Sequence, residues 1–444
     1  MAIALLALAL RVALVLATPH FAPREDSVVY DTGGVSLANN GHFFPGSLPT
    51  LHRGATAFYP PLFQFLLAGI YKVVGTGSGH SRWEAGRLFE ALLGAVVVLL
   101  VYLIATRLWR PRLALVAAGL AAISPPLVMV GSSSLLSESL FIPLVLAATL
   151  AALHFREDPR MRWAIVAGVL IGAAALTRAN GVFLLIPIGF LLWVKRPRFS
   201  LRALAPPLIA LAATIVVLVP WTIRNAQVFH RFVPLDTGTG YTLDGTFNAA
   251  VQTKEHRFPA MWVMPQTHVQ QLYGANPHAN EASVSAHLTS EALGYIDDHP
   301  GSVLRTLYWN TVRMLDLTPS VERFFAPYEV YPTWLAMLSV YAFWALIPLF
   351  IAGAFLRDAR AAPRSFWGIP LTLYLSGVLV LGLTRGRAPL DPFLLMLAAI
   401  ALDGIYEAIR ARTAMRSRKS GDHRRSATPA RSLSATSARP AVAE

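Results

Sequence analysis

Long apolar runs recur along almost the whole chain, and they restrict its fold more than any other feature of the sequence. The first run begins at residue 2, and the last one ends near residue 409. A helix needs about 20 apolar residues to cross a lipid bilayer. The runs are continuous, whereas the strands of a membrane β-barrel alternate apolar and polar residues. The sequence therefore predicts an all-α polytopic membrane protein.

About ten spans are predicted from these runs. They are expected near 2–18, 87–106, 113–131, 139–155, 163–177, 181–194, 203–221, 333–356, 366–384 and 389–409. No basic residue precedes the first run, so we interpret it as a retained helix rather than a cleaved signal peptide. Arg11 interrupts that run. We expect its side chain to snorkel to the membrane surface or to pack between helices.

The loops between these spans alternate in charge. Four short loops, at 107–112, 156–162, 195–202 and 357–364, are rich in arginine. The positive-inside rule places such loops in the cytoplasm. The loop at 132–138 has no basic residue, so we expect it and, by parity, the loop after the first span to face outward. This topology also explains the net charge of +14 without nucleic acid.

Three segments depart from the apolar pattern. Residues 19–83 form a first outer loop, in which a short apolar run after Tyr59-Pro60-Pro61 indicates an interfacial or re-entrant helix. Residues 222–331 form an outward insertion, with helices expected at 281–298 and 301–315. The Ser- and Arg-rich residues 411–444 are expected to be a disordered basic tail in the cytoplasm. Residues 1–410 are thus the predicted membrane domain.

The first outer loop contains an unusual group of acidic residues. Glu25, Asp26 and Asp31 lie within eight residues, although only 24 of the 444 residues of the chain are acidic. Glycosyl transfer from a lipid-phosphate sugar would suit such a loop, because the phosphate leaves without a proton. That reaction needs one carboxylate base for the acceptor and cations for the phosphate.

Other residues at predicted outer span ends could take part in the same reaction. Asp26 is the candidate base, and the candidate cations are Arg178, Arg224, Arg385 and Arg387. Arginine suits phosphate because its planar guanidinium can bind two oxygens. Each arginine could instead be an interfacial anchor. Glu138 begins a predicted span, where it could be a metal ligand, a second polar contact or a residue favoured by the helix dipole.

The sequence lacks the motifs of several other chemistries. It has no cysteine, which excludes thiol catalysis and thiolate metal sites. Its histidines show no HExxH spacing, so no zinc site is predicted, and there is no P-loop or GxGxxG segment opening a helix. No cofactor is therefore certain, and a divalent cation stays possible.

Several motifs in a fixed order resemble the GT-C superfamily of integral-membrane glycosyltransferases. They are Arg11, Asp26 with Tyr30, Tyr59-Pro60-Pro61-Leu62, Arg87, Glu138 in LLSESLF, Leu176-Thr177-Arg178, Pro220 to Asn225, Asp236-Thr237-Gly238 with Gly240, Tyr295-Ile296 with His299-Pro300, and Arg385-Gly386-Arg387 with Pro389. The bacterial branch of glycosyltransferase family 39, related to protein O-mannosyltransferases and the aminoarabinose transferase of lipid A, is the most similar.

The resemblance implies an inverting transfer of a sugar from a polyprenyl-phosphate donor to a glycan, lipid or protein acceptor. The expected location is the outer face of a bacterial cytoplasmic membrane, with the C-terminus inside. It implies that Asp26 is the base, although the order Glu25-Asp26 differs from the usual Asp-Glu and leaves either residue open. The expected substrate contacts are Glu25, Tyr30, Tyr59, Glu138, Arg178, Arg224, Asn225, Arg385 and Arg387. Gly386 stands where the family commonly has tyrosine, so the resemblance leaves the roles of Arg385 and Arg387 open.

Two other classes of function stay open at this stage. A transporter or lipid flippase would be favoured by charged residues inside the membrane and by inverted repeats. The charges here cluster at span ends, and no repeat is evident. A non-catalytic membrane scaffold would not need Asp26.

Overall fold

The described part of the chain is built from helices joined by turns. The computed structural model describes residues 1–43, 55–132, 135–194, 200–253, 260–276, 278–317 and 333–426, and it has no strand among them. The prediction of an all-α fold is therefore confirmed.

The helices of the first half run from the N-terminus to residue 229. They are α1 Ala2–Ala17, α2 Asp26–Asn40, α3 Leu62–Val74, α4 Gly79–Leu108, α5 Pro111–Ile123, α6 Pro125–Val130, α7 Glu138–Glu157, α8 Met161–Thr177, α9 Leu185–Leu192 and α10 Leu201–Phe229. A 3₁₀ turn at Ala179–Leu184 joins α8 to α9.

Shorter helices follow before the chain returns to long apolar ones. They are α11 Gly238–Asp244, α12 Ala249–Gln252, α13 Gln266–Ala275, α14 Glu281–Asp298, α15 Gly301–Met314, α16 Thr333–Phe355, α17 Arg357–Ala361, α18 Arg364–Val378 and α19 Asp391–Ser426. A 3₁₀ turn at Thr384–Arg387 precedes α19. The helices expected at 281–298 and 301–315 are present as α14 and α15.

Apolar helices give the chain the character of a membrane protein. Five are long and apolar enough to cross a bilayer: Gly79–Leu108, Glu138–Glu157, Leu201–Phe229, Trp334–Phe355 and Asp391–Met415. Shorter apolar helices, among them α1, α5 and α8, coincide with further predicted spans. The apolar run after Tyr59-Pro60-Pro61 forms α3, which at 13 residues is shorter than a span.

Two prolines divide the predicted span 113–131 into α5 and α6. Pro126 has no N–H, so the carbonyl of Ala122 cannot receive the helical hydrogen bond that residue 126 would otherwise donate. The fully buried Arg11 of α1 donates to this carbonyl over 3.4 Å. Arg11 therefore packs between helices, the second of the two alternatives expected from the sequence.

Three of the arginine-rich loops, at 107–112, 156–162 and 357–364, lie together at one end of the bundle, and residues 195–199 of the fourth lie outside the described residues. Trp109 Nε1 donates to the Asp358 carbonyl over 2.6 Å, and Arg110 pairs with the Asp358 carboxylate at 3.1 Å. Arg110 also pairs with the buried Asp403 of α19. These contacts join the start of α5, the segment after α16 and the middle of α19. Their packing is consistent with the prediction that these loops lie on the same side of the membrane.

The end of the chain differs from the expected tail. Helix α19 continues to Ser426, beyond the boundary predicted at residue 410. Residues 427–444 of the predicted tail lie outside the described residues, as do residues 318–332 of the predicted insertion.

Small residues let α8 and α10 approach closely. The Gly168 carbonyl accepts a hydrogen bond of 2.8 Å from the Thr214 hydroxyl. A methyl group at Gly168 would lie 2.8 Å from both Ala210 Cα and Ala213 Cβ, which is closer than real contacts allow. The two backbones can therefore pack at this distance only with glycine at position 168.

We expect Gly168→Ala to destabilise the protein by about 1–3 kcal/mol, because its methyl group overpacks the contact of α8 with α10. Gly119→Ala is the matched control, since a methyl group in that helix meets nothing within 4 Å. Thermal unfolding in detergent would measure both. Equal melting temperatures for the two variants would contradict the close packing described here.

Candidate active site

Five separate segments bring polar side chains together at the opposite end of the bundle from Arg110. They are the start of α2, the segment before α3, the start of α7, the end of α8 and the 3₁₀ turn before α19. Their side chains are Asp26, Tyr30, Tyr59, Ser137, Glu138, Arg178 and Arg385. We call this set the Asp26 cluster.

Asp26 is the first residue of α2, where free backbone N–H groups favour a carboxylate. Its Oδ1 accepts a hydrogen bond of 2.7 Å from the Tyr59 hydroxyl, and its Oδ2 pairs with Arg385 Nη2. The Asp26 side chain stays 29% exposed and that of Arg385 24%. Both groups can therefore be reached from outside the bundle.

The surroundings of Asp26 favour its charged form. Burial alone would raise its pKa, but the Arg385 guanidinium, the Tyr59 hydroxyl and Arg178 together lower the pKa below its usual value. The same arrangement acts in the opposite direction on Tyr59. Burial and the charge of Asp26 raise the pKa of the Tyr59 hydroxyl well above 10, so this group stays protonated and donates.

Glu138 supplies a second carboxylate, and it is almost completely buried. Its side chain is 2% exposed, and its Oε1 lies 2.7 Å from Arg178 Nη1 and 3.9 Å from Arg385 Nε. Neither oxygen receives a well-directed hydrogen bond from the described residues. Glu138 therefore retains unused acceptor capacity next to two arginines.

Glu90, a residue not predicted for the site, holds the loop that precedes Glu138. Its carboxylate lies inside the bundle on α4 and accepts hydrogen bonds from the backbone N–H of Leu135, at 3.1 Å, and of Leu136, at 2.9 Å. Leu135 has a positive φ of 49°, an uncommon conformation for a side chain of its size. The sequence signal was an acidic residue within an apolar span, which is rare without a role.

Ser137 connects two further predicted residues to this loop. The Tyr30 hydroxyl lies 3.1 Å from Ser137 Oγ, and Arg178 Nη1 donates to the same oxygen over 3.1 Å. The rings of Tyr30 and Tyr59 pack with their centroids 5.1 Å apart. Tyr30 therefore supports Tyr59 and Arg178 from one side.

Glu281 holds the segment that carries Tyr59, and no sequence motif indicates this role. Glu281 is buried at the start of α14, and its carboxylate accepts from the Thr56 hydroxyl, at 2.7 Å, and from the Ala57 N–H, at 2.9 Å. The Thr237 hydroxyl also donates to it. The Thr237 N–H in turn donates to the Ala57 carbonyl over 2.9 Å. Glu281 thus ties the insertion to the first outer loop.

Arg224 and Asn225 also lie around this segment, outside the Asp26 cluster. Arg224 Nη1 donates to the Thr56 carbonyl over 3.0 Å, and its guanidinium lies over the Trp221 ring. The Asn225 side chain donates to the Val233 carbonyl over 3.1 Å. Both residues were predicted to contact substrate. In the structure Arg224 holds the backbone before Tyr59, and Asn225 holds the backbone at Val233.

Arg387 and Glu25 are likewise not part of the cluster. Arg387 is 2% exposed and pairs with Asp316, at 2.9 Å, and with Asp391, at 3.2 Å. This pairing joins the 3₁₀ turn to the end of α15 and the start of α19. Glu25 is exposed and caps α2 with a positive φ of 49°. The structure therefore brings together Asp26, Tyr30, Tyr59, Glu138, Arg178 and Arg385 of the ten predicted residues.

The Asp26 cluster combines an ionised carboxylate with partly exposed guanidinium groups. Such a set can accept a proton from a bound hydroxyl and hold an anion beside it. Asp26 and Glu138 also have the oxygen donors that hard divalent cations prefer. A cation between them would compete with Arg385, which already contacts both carboxylates.

Solved structures share the fold that holds this cluster. The archaeal oligosaccharyltransferase AglB from Archaeoglobus fulgidus, in complex with an inhibitory peptide and a dolichol-phosphate, matches with a TM-score of 0.54 and 15% identity over 94% of this chain and 51% of that one. The same enzyme tethered to an acceptor peptide gives a TM-score of 0.53 and 14% identity over 93% and 50%. This chain thus spans about half of the length of the oligosaccharyltransferase. It has a GT-C fold.

The sequence comparison points to the same superfamily. Residues 59–223 match the family described as dolichyl-phosphate-mannose-protein mannosyltransferase. The resemblance to GT-C glycosyltransferases that the motifs predicted is therefore confirmed. No curated protein sequence matches the chain. The matched segment includes Tyr59, Glu138 and Arg178 but begins after Asp26.

We expect Glu281→Gln to lower the free energy of unfolding by about 1–3 kcal/mol, because at least one buried hydrogen bond at Thr56 or Ala57 is lost. Asp297→Asn is the matched control on α14, where the side chain is exposed. Thermal unfolding in detergent would compare the two variants with the wild type. A control as unstable as Glu281→Gln would rule out the specific role of the buried carboxylate.

Proposed function

We propose that the chain transfers a sugar from a polyprenyl-phosphate donor to a hydroxyl acceptor. The observation that carries this proposal is the contact of Arg385 with both Asp26 and Glu138, next to the Tyr59 hydroxyl. The fold shared with a dolichol-phosphate-bound oligosaccharyltransferase supports the lipid-phosphate donor, as does the mannosyltransferase family match. A glycan, a lipid and a protein are all acceptable acceptors for this chemistry.

In the proposed reaction, Asp26 takes the proton of the acceptor hydroxyl. The acceptor oxygen attacks the anomeric carbon, and the bond from that carbon to the phosphate oxygen breaks. The electron pair leaves with the polyprenyl phosphate, whose charge is balanced by Arg385 and Arg178. A single displacement of this kind inverts the anomeric centre. The phosphate needs no general acid, so one carboxylate base is sufficient.

The pairing of Asp26 with Arg385 suggests how donor binding prepares the base. A carboxylate held by a guanidinium is a weak base, because the positive charge stabilises its ionised form. A donor phosphate competes for the same guanidinium. When Arg385 turns toward the phosphate, Asp26 loses its strongest positive partner and its pKa rises. Deprotonation of the acceptor is therefore coupled to the presence of donor.

The proposed orientation places this reaction at the outer face of a bacterial cytoplasmic membrane. The arginine-rich loops at 107–112, 156–162 and 357–364 lie at the Arg110 end, which the positive-inside rule assigns to the cytoplasm. The Asp26 cluster lies at the other end. Helix α19 begins beside the cluster and ends past the Arg110 end, so the C-terminus is cytoplasmic in this orientation.

We expect Asp26→Asn to lower transfer by about 10²–10⁴-fold, the usual contribution of a general base. Glu25→Gln is the matched control, because Glu25 is the residue next to Asp26 and its side chain is exposed. The assay would supply labelled polyprenyl-phosphate sugars to membranes with equal protein levels. Loss with Glu25→Gln alone would move the base by one residue, and full activity in both variants would exclude this mechanism.

We expect Arg385→Gln to move the acid limb of the kcat/KM–pH profile upward. In the wild type the Arg385 guanidinium and the Tyr59 hydroxyl overcome the effect of burial and keep the pKa of Asp26 below its ordinary value, so this limb lies at low pH. Without Arg385, burial dominates and raises that pKa, so activity is lost at a higher pH. Arg178→Gln should give a smaller shift, since Arg178 contributes least. Identical acid limbs in all three proteins would contradict the assignment of Asp26.

A further inference from the structure

A second group of titratable side chains lies in the insertion, on helices α11, α13 and α14. His268 of α13 has a carboxylate at each ring nitrogen. Its Nδ1 lies 3.3 Å from Asp244 Oδ2 at the end of α11, and its Nε2 lies 3.2 Å from Glu291 Oε2 on α14. Asp244, His268 and Glu291 each offer a ligand atom, and these atoms all lie within 4.8 Å of one another.

A second histidine faces the other oxygen of the same glutamate. His287 Nε2 lies 3.4 Å from Glu291 Oε1, one helical turn earlier on α14. His287 is half-exposed, so its ring can turn without displacing the core. The group therefore offers two imidazoles and two carboxylates from three helices, none of which belongs to the Asp26 cluster.

The negative charge of this group favours the binding of a cation. With neutral imidazoles, Asp244 and Glu291 carry two negative charges, and Asp244 is buried. A proton on His268 would compensate for one of the two charges. A divalent metal ion would compensate for both.

We propose that Asp244, His268, His287 and Glu291 form a binding site for one divalent transition-metal ion, with zinc the best match. Zinc takes imidazole nitrogen and carboxylate oxygen at about 2.0–2.2 Å in a tetrahedral arrangement. Two ligand atoms of such a tetrahedron lie about 3.3 Å apart. His268 Nε2 lies 3.2 Å from Glu291 Oε2 and His287 Nε2 lies 3.4 Å from Glu291 Oε1, so each imidazole has one carboxylate oxygen at this spacing.

The buried aspartate has a distinct part in the proposed site. When Nε2 of His268 binds the ion, Nδ1 carries the proton and donates a hydrogen bond to the Asp244 carboxylate. A carboxylate that orients a metal-binding histidine in this way is common in zinc sites. Asp244 is thus a positioning residue, and the ligands are His268, Glu291 and His287, with water completing the tetrahedron. The ion would fasten α13 to α14, while Asp244 links α11 to both.

The test uses the 444-residue chain purified in detergent, treated with EDTA, passed through a desalting column and titrated with zinc chloride alone. We expect one zinc ion per chain by elemental analysis and a higher melting temperature with zinc. His268→Gln and Glu291→Gln should each abolish the zinc-dependent rise in melting temperature. Asp244→Asn should weaken zinc binding by about 10–100-fold, the usual effect of losing an orienting carboxylate.

Matched controls come from the same insertion. His278→Gln and Asp297→Asn change an exposed histidine and an exposed aspartate, and both should bind zinc as the wild type does. Equal zinc binding by the wild type and His268→Gln would overturn the proposal. A wild type that takes up no zinc would also overturn it. If that protein then melts at a higher temperature at pH 6 than at pH 8, His268 would be identified as a protonated bridge between the two carboxylates. These measurements do not depend on sugar transfer.

Discussion

Charged groups buried at the ends of apolar helices must be paired, and this requirement organises the Asp26 end of the protein. An unpaired buried ion costs several kcal/mol, so each such group has a counterion or several hydrogen bonds. Asp26 pairs with Arg385, Glu138 with Arg178, and Arg387 with Asp316. The first two pairs stay partly open, whereas the third is closed. A charged ligand can replace a partner only in the open pairs, so the degree of exposure separates the candidate site from its support.

The insertion is part of this arrangement through one carboxylate. Glu281 begins α14 and accepts hydrogen bonds from the Thr56 hydroxyl and the Ala57 N–H, shortly before Tyr59. Tyr59 donates to Asp26, so two hydrogen bonds and the backbone from residue 57 to residue 59 connect the first turn of α14 to the candidate base. A change in the position of α14 would therefore reach the Asp26 carboxylate through the segment that carries Tyr59.

The apolar helices and six residues of the Asp26 cluster could be predicted from the sequence, for different physical reasons. Apolar runs identify membrane helices because side chains that face lipid must be apolar. Arg178 and Arg385 were found because each is a charged residue at the point where such a run ends. Arg387 was assigned to the site because it also follows a span, and its partner Asp316 is distant in sequence. Glu281 could not be found at all, because its hydrogen-bond donors at Thr56, Ala57 and Thr237 are distant in sequence and form no motif with it.

The proposed metal site could likewise not be predicted from the sequence, and it is connected to Glu281 through α14. Its only local signal is His287 and Glu291, four residues apart on one face of α14, which is too weak to predict a site without the third helix. The same α14 carries Glu281 in its first turn. An ion that fastens α13 to α14 would thus restrict the helix whose first residue fixes the Tyr59 segment. Because Glu281 and the proposed ligands are separate, loss of the ion would loosen this support without removing any hydrogen bond of the Asp26 cluster.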